Sequence, residues 1–184
     1  MTRFLGFHIG SGFGLAFVLA NSGPPLPPSI ALVLRALAVA AFAAIIALTV
    51  FLGRRPAVPP GPDSPQMRFD GFFGTVVLVE AVLLFGGLQV LRLLDAPVQA
   101  NVAWIALVVG VHFFPLARHW RSGSLMYAAA YISALGLLGL ALVLVGVPEP
   151  VPFVSGVLPG VGMLAGILAS LVVQSGESRL SGGA

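Results

Sequence analysis

Residues 30–53 read IALVLRALAVAAFAAIIALTVFLG, an apolar run in which Arg35 is the only charged residue. The hydrocarbon core of a bilayer is about 30 Å thick, and a helix needs about 20 apolar residues to cross it. Lipid offers no partners to backbone amides, whereas a helix satisfies them within its own segment. The run therefore predicts a transmembrane helix.

Similar runs fill most of the chain on both sides of this one. Hydrophobic residues make up 58% of the sequence and charged residues 8%, with a mean hydropathy of +1.05. The pattern predicts an all-α fold, a polytopic transmembrane bundle of six helices forming a single transmembrane domain over residues 1–184. The predicted spans cover residues 4–20, 30–53, 69–91, 98–117, 125–147 and 151–173.

The polar sequence between the spans is short. Residues 21–29 and 54–68 form two proline-rich linkers, and dense proline favours extended polyproline II structure. The tail, residues 174–184, is rich in serine and glycine, which predicts a frayed end. Neither linker has room for a soluble domain.

The arginines predict the orientation. With the N-terminus inside, only Arg35 and Arg92 lie toward the outer face. The inner segments then carry the other seven, Arg3, Arg54, Arg55, Arg68, Arg118, Arg121 and Arg179. Arginine-rich short loops stay cytoplasmic, so both termini are predicted to be cytoplasmic. An alternative for span 1 is a cleaved secretory signal, although His8 and its glycines are unusual for one.

Glycines at four-residue spacing predict close helix packing, because small residues let backbones approach in lipid. Span 1 has Gly6, Gly10 and Gly14, and span 6 has similarly spaced small residues from Gly156 to Ser170. We interpret them as seams within the bundle; the competing interpretation is a homo-oligomer formed through span 1 or span 6. Span 5, with Ser133, Gly136 and Gly139 at three-residue steps, is predicted to pack more loosely.

Glu80 is the main candidate site residue, because it lies near the middle of span 3. An ionised side chain at the bilayer centre costs roughly 2.5 to 3.5 kcal/mol on insertion scales. Glu80 should therefore face the bundle and be paired or protonated. The functional interpretation is a proton relay or a contact to an ion or substrate. The structural interpretation is a neutral acid that hydrogen-bonds a neighbouring helix.

Span 4 supplies the other candidates. Asn101 and His112 fall on one helix stripe with Trp104, Val108 and Pro115, at steps of three and four. The stripe indicates either a polar membrane site shared with Glu80 or a polar seam packed inside the bundle. His8 in span 1 is a weaker candidate, since a lone histidine near a helix end usually bonds a backbone carbonyl or a headgroup.

The sequence argues against several classes of function. It has no lysine, no phosphate-cradling loop and no His-Glu-x-x-His, so we expect no enzyme, catalytic residue, metal or cofactor. A haem held between His8 and His112 is a remote alternative. The arginines are scattered along loop edges, which predicts no nucleic-acid binding, and membrane lipid is the expected partner.

The segment Val109-Gly110-Val111-His112-Phe113-Phe114-Pro115-Leu116-Ala117-Arg118 resembles a stretch found in small uncharacterised multi-span membrane proteins of GC-rich bacteria. The resemblance implies a multi-pass protein of the bacterial cytoplasmic (inner) membrane. It transfers no catalytic or binding residue to this chain.

Two functions follow from these features. The first is a small transporter- or channel-like protein in which Glu80 and His112 line a shared cavity. The second is a non-catalytic protein that packs helices or binds a partner, in which Glu80 meets one neighbour in a closed core.

Overall fold

The computed structural model describes residues 4–54 and 70–180, with side chains up to Ser175. Six α-helices follow one another in chain order, and a π-helical segment, Pro152–Val157, leads into the last of them. Short turns join α3 to α4 and α4 to α5, so each of these two pairs runs antiparallel. The helices are α1 (Leu5–Asn21), α2 (Pro28–Gly53), α3 (Gly71–Leu93), α4 (Gln99–His119), α5 (Gly123–Leu144) and α6 (Leu158–Leu180).

The helices have the length and polarity of membrane spans. Among the described residues, α2, α3, α4, α5 and the stretch Pro152–Ser175 are long and apolar enough to cross a bilayer, and α1, with 17 residues, is shorter. Large apolar side chains also point outward, as Leu32 and Leu37 do on α2. In lipid such an outward apolar face is the expected one. The predicted all-α transmembrane bundle of six helices is therefore confirmed.

Left-handed residues end three of the helices and keep their loops short. Asp95, Arg121 and Gly146 have φ values of 49°, 51° and 79°. After each of them the chain makes a six-to-one backbone bond across the helix end, such as Ala96 N–H to the Leu91 carbonyl at 3.0 Å. This is the Schellman arrangement, which satisfies carbonyls at a helix C-terminus. It turns α3, α4 and α5 directly back into the bundle.

The linker over residues 21–29 is a compact turn. Leu26 N–H donates to the Gly23 carbonyl at 3.1 Å, and the Pro24–Pro25 peptide bond is cis. Arg35 reaches back from α2 and donates to the Ser22 carbonyl at 2.7 Å. The prediction of an extended linker over residues 21–29 is therefore wrong, because these local hydrogen bonds close the turn. The other proline-rich linker lies outside the described residues except for Arg54.

Helices α4 and α5 pack most closely. A Cβ placed on Gly110 would stand 2.4 Å from the Ser133 backbone nitrogen, and one on Gly136 would stand 2.4 Å from the Leu107 nitrogen. Each glycine thus admits the backbone of the facing helix. The prediction that span 5 packs more loosely is wrong, because Gly136 admits the Leu107 backbone and Ser133 fits against Gly110 of α4.

The seam predicted for spans 1 and 6 is present within the chain. Gly14 of α1 faces Gly160 of α6, and Gly10 lies beside Ile167. Val18, Ile45 and Leu171 are fully buried members of the core where α1, α2 and α6 meet. The side of α1 that carries Gly14 is thus covered by α6.

Span 6 does not begin as a regular helix. Proline lacks an N–H and its ring crowds the carbonyl four residues earlier, which for Pro159 is that of Ser155. The backbone widens into the π-helical turn at this point, and Tyr131 O–H donates to the Leu158 carbonyl at 3.0 Å. At its other end α6 continues to Leu180, so residues 174–180 of the predicted frayed tail are helical, while 181–184 lie outside the described residues.

Candidate functional site

Glu80 of α3 and His112 of α4 lie side by side inside the bundle. Glu80 Oε1 is 3.1 Å from His112 Nδ1, and the two side chains are 16% and 13% exposed. At about 1.5 Å per residue, Glu80 lies ~14 Å from the start of α3 and His112 ~10 Å from the end of α4. Since the helices are antiparallel, both side chains reach a similar depth in the membrane.

The contact is close but poorly aligned. Although 3.1 Å is within hydrogen-bond range, the buried His112 Nδ1 has no aligned hydrogen-bond partner among the described residues. A ring nitrogen bonds well only when its N–H points at the acceptor. We therefore describe the two groups as an acid and a base in contact, near enough to exchange a proton after a small rotation.

Both side chains face a cleft of about 430 Å³ between α1, α3, α4, α5 and α6. The cleft exists because α3 packs mainly against α4 and buries none of its own residues. Among the described residues that line it, Glu80 is the only acid and none is an arginine. Five aromatic side chains contribute to its walls: Phe7, Phe13, Phe73, Phe113 and Trp120.

Trp104 holds α3 against α4 beyond the cleft. Its indole N–H donates to the Leu83 carbonyl of α3 at 3.0 Å. Gly87 makes room for the ring, since a Cβ there would stand 2.1 Å from the indole. The sequence placed Trp104 only on the polar stripe of span 4. The structure instead gives this ring a helix-pairing role that fixes Glu80 opposite His112.

A second set of contacts joins the same helices at the end of the bundle that carries Arg54, Arg118 and Arg121, which we call the arginine-rich end. Asp70 caps the N-terminus of α3 by accepting from Phe73 N–H at 3.1 Å, and its other oxygen is 2.9 Å from His119 Nε2. The Phe73 amide and then His119 hold the pKa of the exposed Asp70 carboxyl below its ordinary value of 3.8.

Aromatic rings reinforce this end of the cleft. Phe72 stacks on His119 with ring centroids 4.5 Å apart, and Phe73 stacks on Trp120 at 6.0 Å. Residues 118–121 lie at the end of α4 and in the turn that follows it. Within that group, His119 contacts α3, and Trp120 is buried with only 6% of its surface exposed.

Asn101 does not join the acid–histidine pair. It shares the α3-facing side of α4 with Trp104 and His112, as the stripe predicted, but it lies 11 residues or ~16 Å from His112 along the helix. There it lines a separate hollow at the opposite end of the bundle, together with Gln89, Arg92 and Asp95. The predicted polar stripe is therefore divided between two places.

His8 is also separate from the pair. Its Nε2 atom is 2.8 Å from Thr49 Oγ1 of α2, and that hydroxyl donates its own proton to the Ile46 carbonyl at 2.9 Å. The His8 nitrogen must then be the donor, which sets its tautomer. His8 and His112, the two ligands of the haem alternative, thus have different partners in different helix pairs.

Several residues of the cleft were not singled out from the sequence. Phe7 and Phe13 of α1, and Met163 of α6, line it beside Glu80. They look like ordinary span residues because an apolar wall and a lipid-facing surface have the same composition. Asp70 left a recognisable signal, since an aspartate directly before an apolar run is a favoured helix N-cap.

Comparisons of the whole chain with protein-family models, curated proteins and solved structures give no match.

Proposed function

We propose that this protein is a small membrane transporter in which a solute enters the cleft and meets the Glu80–His112 pair. The observation that carries the proposal is that both side chains face an open cleft. An acid used only to join two helices would be satisfied in a closed core. Here an acid and an imidazole are in contact at the wall of an open cleft. This arrangement favours proton exchange linked to solute binding.

The lining of the cleft favours a transporter over a channel. Ion channels line their paths with carbonyls or rings of charged side chains, whereas this cleft has aromatic and aliphatic walls with polar groups at few points. Its volume of about 430 Å³ falls in the range of small-molecule sites, about 300–1,000 Å³. A mainly hydrophobic solute would fit these walls.

The alternative is a non-catalytic protein that only packs helices or binds a partner. The close contact between Glu80 and His112 is compatible with this alternative. It also predicts a closed core around the acid, and the cleft argues against that. The structural role is better filled elsewhere in the bundle, by Trp104 and the glycines of α4 and α5.

We further infer that the protein lies in the bacterial cytoplasmic membrane with both termini on the cytoplasmic side. The support is the arginine distribution together with the resemblance of residues 109–118 to bacterial membrane proteins. In this orientation the arginine-rich end of the bundle, with the Asp70–His119 contact, faces the cytoplasm.

Single cysteines test whether the cleft admits water, and the chain has no cysteine of its own to interfere. Ser170→Cys places a thiol in the lining, whereas Ala169→Cys places one on the exposed, lipid-facing side of the same helix. Only the thiolate reacts with a maleimide, and a thiolate needs a polar surrounding. A membrane-impermeant maleimide should therefore label the first variant much faster than the second.

The side of labelling tests the orientation in the same experiment. When the maleimide is added to sealed vesicles of known sidedness, it should label Ser170→Cys mainly from one face of the membrane. A solute that saturates the cleft should slow this labelling. Equal and negligible labelling of Ser170→Cys and Ala169→Cys would mean a sealed core and would overturn the transporter proposal.

A further inference from the structure

We propose that the solute of the cleft is a hydrophobic organic cation, which binds at Glu80 in competition with a proton. The inference rests on the proposed function, because it specifies the class of solute for the same site. The chemistry of the lining carries it through three observations, which concern charge, ring faces and access.

The first observation is the charge of the lining. Among the described residues that line the cleft, Glu80 is the only acid, and the other titratable group is the imidazole of His112. Helices α1, α5 and α6 contribute serines and apolar residues there, and the described part of the lining includes no arginine. Since a charge in an apolar site needs an opposite charge, the cleft complements a cation and offers nothing to a carboxylate or a phosphate.

The second observation is the aromatic wall. Phe7, Phe13 and Phe113 line the same cleft as the acid, with Phe73 and Trp120 toward its arginine-rich end. The faces of aromatic rings attract cations electrostatically, and the attraction grows when both are removed from water. A carboxylate surrounded by ring faces therefore recognises a cation whose charge is spread over apolar groups, in preference to a strongly hydrated metal ion.

The third observation is the position of His112. Its Nδ1 atom lies 3.1 Å from Glu80 without an aligned hydrogen bond, so the carboxyl is not locked to the imidazole. As a cation enters, the Glu80 carboxylic acid releases its proton to water and the carboxylate pairs with the cation. One proton leaves for each unit of positive charge bound, and the charge of the cleft does not change. Asp70 and His119 lie outside the lining and do not enter this exchange.

Tetraphenylphosphonium is a suitable cationic probe. Tetraphenylborate, an anion of nearly equal size, is the control for charge. The purified full-length protein, in one detergent throughout, would be titrated with each probe by equilibrium dialysis at several pH values. Release of one proton per cation makes phosphonium binding tighten by up to about tenfold per pH unit until Glu80 is fully ionised. Tetraphenylborate should show no such dependence.

Glu80→Gln removes the charge and keeps the shape of the side chain. Phosphonium binding should weaken by about tenfold or more at high pH and lose its pH dependence, because the buried charge partner is gone. Glu149→Gln is the matched control, since this acid is exposed in the loop before the π-helical segment and does not line the cleft. It should bind phosphonium as the unmodified protein does.

A cleft-filling variant keeps the test valid if Glu80→Gln does not fold. Gly166 lines the cleft, and a Cβ added there meets nothing within 4 Å, so the side chain of Gly166→Leu has room to begin in the cleft and should fill part of it. Gly74→Leu is its control on the exposed face of α3, where a Cβ also meets nothing. Only Gly166→Leu should block phosphonium binding.

The outcomes separate this inference from the proposed function. Equal phosphonium binding by the unmodified protein, Glu80→Gln and Gly166→Leu would overturn the cation inference, as would preferential binding of tetraphenylborate. If Ser170→Cys is nevertheless labelled from water, the transporter proposal stands with another solute. If phosphonium binds at Glu80 but Ser170→Cys is not labelled, the cation site stands and the transporter proposal fails.

Discussion

Gly14 of α1 and Gly160 of α6 lie back to back, and each carbonyl oxygen occupies the space that a side chain on the other glycine would need. A Cβ on Gly14 would be 3.0 Å from the Gly160 oxygen, and a Cβ on Gly160 would be 2.6 Å from the Gly14 oxygen. Backbone atoms cannot move aside as the end of a flexible side chain does. This contact therefore sets how closely α1 and α6 approach each other.

Gly160→Ala should destabilise the bundle by forcing the two helices apart. Overpacking a tight contact costs about 1–3 kcal/mol, and the better helix propensity of alanine returns at most about 1 kcal/mol. Thermal unfolding in detergent, followed by helical circular dichroism, measures the difference. The control is Gly166→Ala on the same helix, where a Cβ meets nothing within 4 Å. A melting temperature for Gly160→Ala equal to that of the control would contradict the predicted contact.

Gly87→Ala should displace the Trp104 indole from α3. The added Cβ would overlap the ring at 2.1 Å, and loss of the indole bond to the Leu83 carbonyl removes about 0.5–1.5 kcal/mol of stability. The chain has two tryptophans, so the variant is best made in a Trp120→Phe background, where emission reports Trp104 alone. Gly86→Ala, one residue away and in open space, is the control. Identical spectra for the two variants would show that the ring does not occupy this position.

Asp70→Asn should weaken the arginine-rich end of the bundle in a pH-dependent way. Asparagine still caps a helix, so the change removes only the charge that faces His119. The folded protein holds the pKa of Asp70 below its ordinary value of 3.8. A lowered pKa contributes stability that is complete above the ordinary value and disappears as the pH falls through the lowered one.

The difference in melting temperature between the unmodified protein and Asp70→Asn should therefore shrink as the pH falls below the ordinary pKa of Asp70. Melts at matched ionic strength measure it. A difference that persists unchanged in strong acid would show that the carboxylate charge contributes nothing to this end of the bundle.

The pairing of Glu80 with His112 shows how far the sequence leads toward the site. The energetic cost of a charge in lipid predicts that Glu80 faces protein, and the helical period puts His112 on one side of α4 with Trp104 and Asn101. Neither rule says that this side faces α3. The contact depends on the docking of α3 by Gly87 and Trp104, and on the Asp70–His119 contact at its end.

The spacing of the glycines also predicted helix packing only in part. The four-residue spacing in span 1 correctly predicted a close contact, made by Gly14 with Gly160. The three-residue spacing in span 5 predicts looser packing, yet Gly136 and Gly110 make some of the closest contacts in the bundle. A row of small residues shows that a groove exists on a helix, and the partner that fills the groove is a property of the other helix.

The sequence by itself determined the six helices and their burial in a membrane, because the cost of exposing backbone amides to lipid depends only on local composition and length. Only the tertiary structure decided that α3 stands apart from α1 and α6 and leaves a cleft beside Glu80. That outcome depends on the sum of weak contacts between helices that are far apart in the chain. In lipid, the apolar character of a residue does not reveal whether it faces a neighbour, a cavity or the membrane.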